Sequence, residues 1–143
     1  MAILFQNQNT KFKLCHKQSI KLWIKRVIEA EKKKLGHLNF VFTNDETILK
    51  TNIQFLNHNT YTDIITFDYC ENNLISGDII ISIERVLENA KKFNVDFDTE
   101  LKRVIIHGVL HLCGYKDKTA KDSEVMRKKE NQALSVLTIT NLC

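Results

Sequence analysis

The chain has 143 residues, 43% of them apolar, which suits one domain spanning 1–143 with a core of its own and makes disorder a poor reading. A net charge of +4 and a pI near 8.9 are compatible with a polyanionic partner, but equally with an ordinary lysine-coated surface. No stretch suits a membrane span or a secretory signal, and the cysteines at 15, 70, 113 and 143 make no CxxC pair, so a cytoplasmic protein with reduced thiols is expected.

Residues 2–6 and 38–43 read as short strands. From Lys17 to Lys34 the apolar positions Ile20, Trp23, Ile24, Val27 and Ile28 fall at helical spacing, with lysines mostly on the other faces. That pattern predicts an amphipathic surface helix whose lysines face water, in preference to one that binds RNA. Thr43 or Asn44, followed by Asp45 and Glu46, predicts a helix start, with the helix reaching about Phe55 or Leu56. DIITFDY (63–69) and DIIIS (78–82) read as strands, joined by the polar loop CENNLISG, which could close a hairpin.

Ser82 to Asn94 predicts a third helix. A fourth, ELKRVIIHGVLHLC, has Asp98 as its expected N-cap and Gly114 to end it in the left-handed conformation. Beyond Arg103 this helix is apolar nearly all round apart from two histidines, so both are expected to be buried with it. A last helix runs from about Thr119 to Leu137, with Asp122 three residues after Thr119. Together these elements predict an α/β (α+β) fold, a small mixed sheet covered by about five helices, with a central buried helix carrying the histidines.

The chemistry concentrates in HGVLHLCGYKD, residues 107–117. His107 and His111 are four apart, so a helix sets them on one face, where two imidazoles can share an ion. Gly114 can reverse the backbone and return Asp117 to that face. Three protein ligands, His107, His111 and Asp117, leave a position open, as catalytic zinc sites do. An isolated pair at this spacing is more often two satisfied core histidines; the glycine and the aspartate turn the balance toward a metal. The spacing parallels the metzincin pattern, but residue 108 is glycine where those proteases place their glutamate base, so the geometry survives and the protease chemistry does not.

The string also resembles the YbeY family motif H-G-x-L-H-L-x-G-Y-D-H. Upstream, TNIQFLNHNTYTDIITF is similar to the family segment L-N-x-x-Y-R-x-K-D-x-P-T-D-V-L-S-F and keeps Asn52, Thr62, Asp63 and Phe67; Gly77-Asp78-Ile79 resembles a further strand start. The resemblance covers most of the chain. It implies a metal-dependent, single-strand-specific endoribonuclease acting on ribosomal RNA precursors, at the 3′ end of small-subunit rRNA and in ribosome quality control, with the ribosome or its associated proteins as partners.

Two departures stand out. Asp117 replaces the family's usual third histidine; aspartate still ligates zinc, but its charge is expected to move the pH optimum to the alkaline side. An Asp117→His variant with no acidward displacement of its rate profile would contradict that. Leu56 replaces an arginine implicated in RNA contact, leaving Lys50, Arg85 and His58 as candidate substitutes and Tyr115 as a candidate for base stacking. Asp63 and Asp78 are candidate outer carboxylates. The competing readings are a ribosome-associated RNA-binding assembly factor with a structural metal, a metzincin-like metallohydrolase of another substrate, and a non-haem iron site, which usually sits on strands.

Overall fold

In the computed structural model, which describes residues 2–56 and 62–137, alternating large apolar residues build a sheet with one thoroughly buried face. The elements run β1 (Ala2–Asn7), α1 (Lys17–Ala30), β2 (Lys34–Thr43), α2 (Asp45–Leu56), β3 (Ile64–Asp68), β4 (Leu74–Ser82), α3 (Ile83–Lys92), α4 (Phe97–Leu112) and α5 (Ala120–Ser135). Strand order is β1-β2-β4-β3; β2 pairs in parallel with both neighbours, and β3 lies antiparallel on β4. The fold class is the mixed α/β arrangement expected.

Register explains which face is buried. Leu38, Phe40 and Phe42 sit opposite Gly77, Ile79 and Ile81, and side chains two apart on a strand share a face. The intervening positions, Asn39, Val41, Asp78 and Ile80, are only half-buried. Helix α1 contributes Ile20, Trp23, Ile24 and Ile28 to the core, and α4 contributes Leu101, Ile105 and Val109, all in one contiguous cluster with the sheet. The Trp23 indole N–H donates to the Ala133 carbonyl at 2.9 Å, tying α1 to α5. Gly108 lets α4 lie close against the sheet, because a Cβ there would stand 2.9 Å from Ile64 Cδ1 and 3.0 Å from Ile79 Cγ2.

Several helix starts match their signals. Asn44 Oδ1 accepts from the Thr47 N–H at 2.8 Å, and Thr119 caps α5 through the Asp122 N–H at 3.0 Å. Other boundaries move. Helix α1 ends at Ala30 and not at Lys34: Lys32 takes φ 60°, and its N–H and that of Lys33 close the turn on the Glu29 and Ile28 carbonyls. Lys34 then begins β2 by donating to the Asn73 carbonyl. Strand β4 begins at Leu74 and not at Asp78, since the CENNLISG segment is a hairpin, with Asn72 at φ 54° and an isolated bridge between Glu71 and Leu74. Asp96 and not Asp98 holds the N-cap position of α4, without a side-chain cap bond, and the first helical residue, Phe97, packs edge-on to Phe12. Cys70 and Cys113 are free thiols, as expected of these two. Among the described residues, no helix is long and apolar enough to cross a membrane.

Candidate metal centre

Helix α4 delivers His107 and His111 to one end of a cleft of about 850 Å³. The helix is buried for most of its length, but the histidines are not: His107 is half-buried and His111 is exposed, which corrects the expectation of two buried rings. Buried imidazoles would have needed protein partners for every nitrogen; here one edge of the pair opens to solvent.

The end of α4 sets the third side chain. Gly114 has φ +113° with open space where a Cβ would stand. Its N–H donates to the His111 carbonyl at 3.1 Å, and the Tyr115 N–H reaches the Leu110 carbonyl at 3.1 Å, the two bonds of a Schellman turn. The chain reverses there and brings Asp117 Oδ2 to 3.4 Å from His107 Nε2.

Both rings are oriented through the other nitrogen. His107 Nδ1 donates to Glu130 Oε2 at 2.8 Å, and His111 Nδ1 donates to the Tyr115 carbonyl at 3.2 Å. Because both partners are acceptors, each Nδ1 carries a hydrogen, so in the neutral ring the lone pair falls on Nε2. Glu130 is only 4% exposed and is held in turn by Arg103, whose Nη1 lies 3.0 Å from Oε1. Burial alone would raise the Glu130 pKa, but hydrogen bonds from His107 and Arg103 outweigh it and hold the carboxyl below its ordinary value. Burial works against a charged His107 as well; the bond and charge of Glu130, with Asp117 and Asp63 adding to them, leave its pKa raised.

Sequence reasoning missed Glu130. The signal was present: on α5, Met126, Glu130 and Ala133 fall at helical spacing on the core-facing side, and a carboxylate inside an apolar stripe needs a partner. It also missed Arg103 as that carboxylate's anchor.

The remaining candidates separate. Asp63 lines the cleft, where burial pushes its carboxyl up, while Asp78 accepts from the Tyr69 hydroxyl at 3.2 Å and is not part of the lining. Lys50 pairs with Glu46 at 3.3 Å and Arg85 with Asp45 at 2.9 Å; neither lines the cleft, whereas Leu56 does. Tyr115 also lies outside the lining: its hydroxyl donates to Glu31 Oε1 at 2.5 Å, and Lys129 sits 5.6 Å above its ring. His58 lies outside the described residues.

The donor set suits a divalent transition metal, with two imidazole lone pairs and one carboxylate and with the opposite imidazole nitrogens held by acceptors. Among the described residues, no group of three or more His, Cys, Asp and Glu side chains stands ready-made to hold an ion. The fit therefore rests on donor chemistry and orientation, not on a closed shell.

The chain is similar to known proteins along most of its length. The family model described as Endoribonuclease YbeY matches residues 4–138. A curated relative from Flavobacterium johnsoniae, named Endoribonuclease YbeY, is 50% identical over 133 residues, which cover 93% of this chain and 96% of that protein. One of the same name from Christiangramia forsetii is 49% identical over 128 residues, 90% of each. A solution structure from Thermotoga maritima superposes with a TM-score of 0.69 at 30% identity, covering 94% of this chain and 87% of the other.

Proposed function

We propose a reaction from one premise: the chain belongs to the Endoribonuclease YbeY family and is an endoribonuclease, a hydrolase of RNA phosphodiester bonds. The finer reading is a zinc-dependent enzyme that cuts single-stranded segments of ribosomal RNA precursors, works in the cytoplasm and associates with the ribosome. The single observation that carries the metal assignment is the orientation of the two histidines, each with Nδ1 donating to an acceptor and Nε2 left as a ligand.

His107, His111 and Asp117 would hold the ion. When bound, zinc supplies Lewis-acid polarisation of a phosphoryl oxygen and acidifies water, so hydrolysis can run near neutral pH. The side chains do the positioning. Glu130 fixes the His107 ring, and the Tyr115 carbonyl fixes His111. Gly108 neither takes nor gives a proton; its part is to let α4 sit tight on Ile64 and Ile79. The exposure of His111 supports an open site over a metal that only fixes the fold, because structural zinc sites are closed.

The test is cleavage of matched single-stranded and duplex RNAs, with and without a chelator, beside a His111→Ala control. Chelator-sensitive cutting of the single strand that is absent from the variant supports the proposal. Cutting that survives both chelator and variant would overturn the metal assignment.

A further inference from the structure

Leu56 lines the cleft as an exposed apolar side chain at the end of α2, and two cations line it from the loop after α4 and from α5. Lys118 follows Asp117 directly, and Arg127 projects from α5; both are exposed and both line the cleft. Arg127 is loosely held. Its side chain is 59% exposed and its Nε stays 4.0 Å from Glu130 Oε1, an oxygen that Arg103 already engages at 3.0 Å. Lys50 and Arg85 are spent on Glu46 and Asp45 outside the cleft.

The part of the lining that α2 and α3 contribute is different in kind. Phe93, which follows α3, lines the cleft with 55% of its surface exposed, and Leu56, which ends α2, lines it with 41% exposed. Lys92 Nζ lies 5.7 Å from that ring's centroid, and Lys92 is not part of the lining. A phenyl ring left half in water is a surface that a nucleobase can cover, and single-stranded RNA carries its charge along one edge and its π-faces along the other.

We propose that the cleft binds single-stranded RNA in a fixed orientation. Backbone phosphates lie along Lys118 and Arg127, and an unstacked base next to the scissile bond lies on Phe93 beside Leu56. The proposal rests on the endoribonuclease reading and deepens it by assigning the side chains that meet phosphate and base.

The experiment is a salt titration of binding by fluorescence anisotropy, using the metal-loaded enzyme and a phosphorothioate-linked single-stranded oligoribonucleotide chosen to slow cleavage. In the Lys118→Gln/Arg127→Gln double variant, the slope of log affinity against log salt should fall by about 1.4, or about 0.7 per lost phosphate contact. Phe93→Ala should weaken binding about 5- to 20-fold at every salt concentration with an unchanged slope. Phe93→Trp should retain affinity and show quenching on binding. The chain's one tryptophan, Trp23, is buried, so its emission is a constant background against which the introduced indole is quenched. Lys50→Gln should keep the wild-type slope. Thermal melts close to wild type, expected for exposed positions, confirm that each variant is folded.

An unchanged slope in the double variant, or wild-type affinity in Phe93→Ala, overturns the assignment. If the wild type neither binds nor cuts single-stranded RNA, the endoribonuclease reading itself fails.

Discussion

The two histidines of α4 are one helical turn apart, yet they are supported in opposite ways. His107 rests on a buried carboxylate that is clamped by an arginine, all within the packed interface of α4 and α5. His111 is exposed and rests on a backbone carbonyl of the loop that follows the helix. That loop is tethered at a distance, because Tyr115 donates to Glu31 at the end of α1, and Lys129 binds the same carboxylate at 3.2 Å. One half of the centre thus inherits its geometry from the core, and the other half from a turn held by surface contacts. The core-supported ligand should hold its place as the fold loosens, and the loop-supported pair, His111 and Asp117, should fail first.

Variants at these supports can break or sharpen that contrast. The largest effect is expected from Glu130→Ala, which leaves Arg103 and His107 without their shared partner. Unfolding should become easier by about 3 kcal/mol, a fall in Tm on the order of 10 °C, and metal affinity should drop about 10- to 100-fold. Calorimetry of the metal-free protein and chelator competition read the two quantities. A loss of affinity without a loss of stability would place Glu130 outside the core network.

Tyr115→Phe should show smaller losses of both kinds. It removes one hydrogen bond to a carboxylate, so stability should fall by about 1–2 kcal/mol, while the half-freed loop lowers metal affinity several-fold. Glu31→Gln, which keeps an acceptor for the hydroxyl, should restore part of what Glu31→Ala loses. If Tyr115→Phe leaves affinity at the wild-type value, the tether does not reach the site.

The smallest change is expected from Gly114→Ala. No atom lies within 4 Å of the added methyl, so only the backbone conformation at φ +113° opposes it, at about 1–2 kcal/mol. Denaturant melts measure that cost. A neutral substitution would show that the turn can relax without it.

The sequence was most informative where one signal had one meaning. The glycine after His111 marked the helix end, and Thr119 with Asp122 marked the start of α5; both stand as read. It was least informative where tertiary contacts decide. The lysines at 32–34 continue a helical pattern on paper, but Lys32 adopts a positive φ and Lys34 pairs with the hairpin across the sheet. The same long-range pairing turns a polar loop into the first half of β4. At the site, the candidate ligand positions follow from spacing along α4 and its turn, which local sequence encodes. Glu130 and Glu31 reach the site from 23 and 84 residues away along the chain, and no local pattern links them to it.

The most direct test of the central claim is a zinc titration of metal-stripped protein against a competing chelator, run side by side on wild type and His111→Ala. The account expects one tightly bound equivalent per chain in wild type and its loss in the variant. A wild type that binds no zinc, or a variant that binds one equivalent equally tightly, would contradict it.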